Sequence, residues 1–314
     1  MNGSERGLIM QSPRTAWRIA GLAKAGISGA TFTAAYLEPN NLDSFQTHDA
    51  FAYLSAGYAQ GGWDLGAGAI RALRSTYAYP GNLAPFVLIP DGRDGLQTWQ
   101  GRAAWRGEIG DQTELAVKAI GAVQNQSRID LAAWGGLAEA AIATRALPFA
   151  PRFSVAYARF SGDDPKTKAF ERFDPLYYGG NGGLDGFFFG VIGSNLFLNT
   201  NLRIWRANLD LVASPQDFVK FQVLRFEADR LNGPLQFGQV VRFDIGASGV
   251  RFERGVPARA LGHEVLGSWT RLITQGLSLT GTASTFLPGA GLDALTGGHS
   301  RNWYAAGLQL TYRR

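Results

Sequence analysis

The 314-residue sequence predicts an all-β protein: a transmembrane antiparallel β-barrel with about 13–14 strands visible. Three observations predict it. Apolar and polar residues alternate along strand-length segments, and period two with one apolar face marks a half-buried strand. The links between segments alternate short and long, as they do in barrels with short turns at one membrane face and long loops at the other. All eight tryptophans (Trp17, Trp63, Trp99, Trp105, Trp134, Trp205, Trp269 and Trp303) fall on these segments, several near their ends, where an interfacial aromatic girdle sits.

Composition agrees. There are 41 Gly, 12% aromatic residues and only two Met, which suits many turns and strands better than helices. A mean hydropathy near zero is compatible with a barrel whose inner face and loops are polar. No run of 18 apolar residues exists, so no transmembrane helix is predicted. With no Cys, disulfides, thiol chemistry and Cys-ligated metals are excluded.

Residues 1–14 read as an irregular N-terminal segment without the apolar core of a secretory signal, and 15–314 as the barrel domain. Strands are predicted at 15–25, 30–37, 50–59, 63–74, 97–109, 112–123, 128–146, 152–160, 196–213, 218–228, 261–273, 277–286 and 302–313. Trp99, Gly101, Ala103, Trp105, Gly107 and Ile109 share one face, while Gln100, Arg102, Ala104, Arg106 and Glu108 share the other. Short turns fall at 26–29, 60–62, 110–111, 147–151, 214–217 and 274–276. Longer links fall at 38–49, 75–96, 161–195, 229–260 and 287–301, and only 124–127 is short where a long link is due. The long set is expected to be extracellular.

An odd strand count is unexpected, because bacterial single-chain barrels usually have an even number. Two expectations follow: a chain lacking N-terminal strands and a signal peptide, or a fourteenth strand containing Gly7–Met10. Strands this long also argue against a soluble β-sandwich or propeller, whose strands are typically about 5–6 residues.

Within the 150–314 region, Ser161-Gly162-Asp163-Asp164, then Phe173-Asp174-Pro175-Leu176-Tyr177 and a strand from Asn195, resemble the alginate-export family of outer-membrane porins. Gly262-His263-Glu264, Phe286-Leu287-Pro288-Gly289 and the closing Leu308-Gln309-Leu310-Thr311-Tyr312-Arg313 are similar to that family's last strands. The resemblance implies the last 13 strands of an 18-stranded barrel that passes an anionic polysaccharide through an Arg-rich lumen. The implied surroundings are outer-membrane lipid, an anionic polysaccharide or other anionic solute, and periplasmic secretion partners.

Such a conduit needs cations along a low-dielectric tube, and Arg serves best because its charge is permanent and its fork accepts a carboxylate bidentately. Alternation assigns Arg18, Arg102, Arg106, Lys118, Arg206 and Lys220 to the non-apolar face. Glu108, Glu114, Asn208, Asp210, Gln222 and Glu264 share it, so the ions could equally satisfy one another. Arg159 and Arg225 continue otherwise apolar faces, which requires either a bulge or a strand end rising above the apolar band. With Asp163, Asp164 and Asp174 they are the candidate pore-mouth and loop residues. The glycine-rich 179–190 stretch could fold inward as a plug, with Phe187, Phe188 and Phe189 on the wall or in lipid.

Other chemistries lack their signatures. Asp163, Asp164 and Asp174 have no EF-hand spacing for Ca²⁺, so no metal or other cofactor is expected. No HExxH, GxSxG or nucleotide-binding glycine motif is present, although Ser44 lies near His48 and Ser268 near His263, as a lipid-facing hydrolase would need. The arginines are spread over many strands, against a nucleic-acid surface. The expectation is therefore a non-enzymatic channel. A general anion-preferring porin and a soluble β-rich carbohydrate-binding protein are the alternatives.

Overall fold

The computed structural model describes residues 17–39, 48–80, 88–176, 190–232 and 255–312. Thirteen long strands form one antiparallel sheet in chain order. They are β1 (Trp17–Ile27), β2 (Ala30–Pro39), β3 (Ala50–Gln60), β4 (Trp63–Arg74), β5 (Gln97–Ile109), β6 (Thr113–Gln126), β7 (Leu131–Thr144), β8 (Arg152–Phe160), β9 (Leu202–Val212), β10 (Asp217–Ala228), β11 (Ala260–Leu272), β12 (Leu277–Pro288) and β13 (Trp303–Tyr312). Their lengths, from 9 to 14 residues, are those of membrane-crossing strands. The segment 1–16, including the expected irregular terminus and Gly7–Met10, lies outside the described residues, as do 177–189 and 233–254.

Tight turns follow from backbone chemistry. Between β3 and β4, Gly61 and Gly62 take φ of +59° and +83°. A Cβ on Gly62 would sit 2.3 Å from the Arg106 carbonyl oxygen, so the turn requires glycine there. The short link before β7 is a 3₁₀ turn at Ser127–Ile129. The Gln126 side chain accepts the Ile129 N–H, and Asp130 adopts φ +51°. That turn explains why β7 begins at Leu131 and not at 128.

The largest departure from the sequence reading lies before β9. The predicted strand over 196–213 begins only at Leu202, preceded by the single-turn helix α1 (Gly193–Leu196). Alternation could not reveal this, because the turn is held by a carboxylate on another strand, described below.

The two faces of the sheet differ. On the outer face Leu54, Trp99, Val117, Phe153, Trp205, Phe221, Val265 and Leu308 are exposed, with the apolar character that lipid requires. On the inner face, near the long loops, side chains from many strands are buried against loop segments. One cluster joins Phe51, Ala72, Leu96, Leu131 and Ala133 to Tyr79 and Phe170. Another joins Ala156, Phe160, Ile204, Leu224, Phe226 and Phe286 to Ile192, Leu196, Phe197 and Leu292 of loops and of α1 and α2 (Ala290–Leu295). The described segments of the long loops are thus packed onto the inner face, and the inner face near the short turns is left polar.

Candidate conduit on the inner face

Register fixes which side chains share the inner face. Cross-strand partners run Asp64–Ala104–Lys118–Glu139–Ala156–Arg206–Leu224–Glu264 across β4 to β11. Toward the short turns, Glu108 pairs with Glu114, Arg152 with Asp210, and Asp210 with Lys220. Arg102, Arg106, Lys118, Arg206 and Lys220 therefore stand on the face opposite the exposed apolar one. Arg18 lies in β1, but its side chain is outside the described residues.

These cations are paired. Glu139 receives Arg206 at 2.6 Å, Arg152 at 3.5 Å and Lys118 at 3.7 Å. Asp210 receives Arg152 and Lys220, each at 3.4 Å. Around these two carboxylates stand four cations, so this part of the inner face carries a positive excess among the described residues. Arg206 and Glu139 are buried, whereas Arg152, Lys220 and Asp210 are about one-third exposed and border open space. Arg102 pairs with Asp64 at 2.8 Å and Arg106 with Glu114 at 3.3 Å, in more exposed settings where such pairs hold little stability. Asn208 and Gln222 complete the surface, Gln222 Nε2 donating to Asn208 Oδ1 at 2.8 Å.

Among the described residues, two spaces on this face bear on a passage. A cavity of about 590 Å³ at the short-turn end is bordered by Glu108, Glu114, Arg152, Asp210, Lys220 and Gln309. A smaller one of about 350 Å³ nearer the long loops is bordered by Tyr53, Thr98, Gln100, Phe160, Phe173 and Asn199. Sequence reasoning named neither Glu139 nor Arg152. Both lie on the parity of Ala141 and Ser154, so alternation could have found them.

The loop candidates are structural contacts. Asp174 is buried and accepts two hydrogen bonds from Arg93, at 2.8 and 2.9 Å, and one from the Tyr79 hydroxyl. Its backbone exchanges two 2.7 Å hydrogen bonds with the Gln124 side chain of β6. Arg93 also reaches Asp49 at 3.1 Å and covers the Tyr77 ring at 4.1 Å. Burial alone would raise the Asp174 carboxyl, but Arg93 and Tyr79 hold it below the ordinary carboxylate range. Asp163 accepts the Glu171 and Arg172 amides at 2.7 and 2.8 Å, and burial raises its carboxyl despite Arg172. Asp164 accepts the Lys166 amide and lies 3.6 Å from Arg230. No group of acidic or histidine side chains suited to a metal occurs among the described residues.

Arg159 and Arg225, the candidate pore-mouth arginines, keep the outer-face parity of the strands that carry them. Pairing of β8 with both neighbours is unbroken, so no bulge turns Arg159 inward; it keeps the outer-face parity of Phe153 and Val155. Arg225 likewise shares the outer face of Phe221 and Val223, and pairs with Glu227. Both stand near the long-loop ends of their strands.

An inward loop is held by Glu264. Its carboxylate accepts the Val191, Ile192 and Gly193 amides at 2.8, 2.9 and 2.7 Å and the Ser284 hydroxyl at 2.5 Å. This seats α1 and Phe197 against Phe226 and Phe286. The glycine-rich plug predicted just before it lies at 179–190, of which all but Gly190 is outside the described residues.

No protein-family model and no curated protein matches the chain. Among solved structures it is similar to OccK11 (OpdR) of Pseudomonas aeruginosa, at 13% identity and a TM-score of 0.52, covering 98% of this chain and 75% of that one. It is also similar to the outer membrane protein OprD of the same organism, at 11% identity and a TM-score of 0.55, covering 93% of this chain and 67% of that one. At such identities the likeness is one of fold, and the fold is that of an outer-membrane β-barrel. These matches give the alginate-export resemblance no family-level support.

Proposed function

We propose that the chain forms a non-enzymatic outer-membrane channel that passes small anionic solutes along the inner face of β5 to β10. The observation that carries this reading is the excess of Lys118, Arg152, Arg206 and Lys220 over Glu139 and Asp210. A carboxylate or phosphate entering the open space can exchange with a paired carboxylate at Arg152 or Lys220. Each contact is then weak and multiple, which permits passage rather than trapping. The OprD and OccK11 fold supports the membrane setting.

A polyuronate exported with periplasmic partners, the substrate implied by the alginate-export resemblance, is the finer alternative. The cation excess serves it too, but the described loop segments packed against the inner face favour a small solute over a polymer. Planar-bilayer recording tests the proposal through the reversal potential in a KCl gradient. Chloride preference that weakens on Arg152→Ala and Lys220→Ala is expected. Cation preference in the parent chain overturns the reading. Uronate oligomers that block the current from one side would favour the polymer.

A further inference from the structure

We infer that the outer face of β8, β9 and β10, where it meets the long loops, is a binding site for the phosphate groups of the glycolipid in the surrounding leaflet. This rests on the membrane reading above. Along β8 the outward residues run Phe153, Val155, Tyr157, Arg159, and along β10 they run Phe221, Val223, Arg225. Lipid-suited side chains give way to guanidiniums at the level where headgroups begin. Tyr157 and Trp205 pack at 4.4 Å, one row below Arg159 and Arg203 and level with Arg225, as aromatic residues do at that depth.

The arrangement of charge is unusual. Arg159 and Arg203 lie directly opposite on neighbouring strands, where like charges oppose pairing. Both donate from Nε to the same oxygen of Asp229, each at 2.6 Å. One carboxylate thus holds two guanidiniums in fixed geometry, and the Arg159 plane is set further by the Trp134 ring, 4.7 Å away. Arg225 is 56% exposed beside Glu227. Arg259 donates to the Asp229 carbonyl at 3.1 Å, and Arg230 faces Asp164 at 3.6 Å. Among the described residues the rim gathers these five arginines against three carboxylates, Asp164, Glu227 and Asp229. At the short-turn end of β10 and β11, by contrast, Arg271 faces the single carboxylate of Asp217 at 3.6 Å. Preset guanidinium planes with residual positive charge fit tetrahedral phosphate. Because Arg159, Arg203 and Arg225 point away from the inner face, that phosphate belongs to lipid and not to a transported solute.

The test uses the whole chain in phosphatidylcholine bilayers. Conductance first establishes insertion, and retention of bis-phosphorylated lipid A is then compared with retention of dephosphorylated lipid A by native mass spectrometry. We expect the phosphorylated lipid to be retained about tenfold better, as several charge-assisted hydrogen bonds give. Arg159→Gln/Arg203→Gln should abolish that preference and keep the conductance. Arg225→Gln, at an exposed position, should reduce it without any burden on folding. Equal retention of the two lipids by a conducting parent chain overturns the inference alone. Failure to insert into any bilayer overturns the membrane reading, and the inference with it.

Discussion

The Glu264 carboxylate lies 2.7 Å from the Gly193 amide and binds three consecutive amides of one loop, with no cation partner among the described residues. The wall of the sheet thereby supplies the N-terminal cap of α1, whose own N-cap residue, Ile192, makes no side-chain cap. Charge on Glu264 is spread over backbone dipoles, a favourable setting for a buried carboxylate.

Glu264→Ala leaves those amides and the Ser284 hydroxyl without their acceptor. Buried donors left unpaired cost about 1–3 kcal/mol each, so a loss of at least about 3 kcal/mol is expected. Urea unfolding in detergent measures it. Single-channel recording should show a larger, noisier conductance as the turn leaves the inner face. Gly193→Ala should act alike, since its Cβ would stand 2.3 Å from the Phe226 ring. Unchanged conductance in both variants would show that this loop does not bound the passage.

Asp174→Asn breaks the buried pair with Arg93, and removing one partner of such a pair typically costs about 3–5 kcal/mol. The pH dependence has a definite sign. The folded carboxyl titrates below the ordinary range, so its contribution is complete above the unfolded value of about 4 and is lost as pH falls through the lowered one. The variant should therefore show less acid-side destabilisation than the parent. Unfolding midpoints at several pH values decide this.

Asp163 titrates in the opposite sense. Burial raises its folded carboxyl above the unfolded value, so its contribution is complete below that value and is lost as pH rises through the raised one. Asp163→Asn keeps an acceptor for the Glu171 and Arg172 amides and carries no charge. At neutral pH it should be as stable as the parent or more so, with a flatter pH profile, while Asp163→Ala is destabilised by about 1–3 kcal/mol. A large loss in the Asn variant would mean that the ion pair with Arg172 outweighs burial.

Glu139→Gln leaves Lys118, Arg152 and Arg206 around a neutral amide. Chloride preference should increase, with a loss of stability because Arg206 is buried. Reversal potentials and urea midpoints, measured on the same preparation, read the two effects. An unchanged reversal potential would separate the network from the ion path.

The sequence by itself determined the long strands, nearly all within a few residues, and the face on which most of their charged side chains stand. Strand geometry is local: period-two alternation writes the inner face through Arg102, Arg106, Lys118, Arg206 and Lys220 directly into the order of residues. Tertiary structure decided what those residues meet. Arg206 finds Glu139 67 positions away, and Arg93 finds Asp174 81 positions away. Such pairs depend on strand register and on the path of a loop, and neither leaves a periodic trace. The same holds for Arg159 and Arg225. Alternation flagged them as exceptions, but only the pairing register placed them on the outer face: it is unbroken on both sides of β8, and for β10 it is unbroken against β9 and shifts against β11 only after Arg225, between Phe226 and Glu227. The capping of α1 by Glu264 was equally hidden. A carboxylate on β11 chose that conformation, and the residues around Asn195 carry no mark of it.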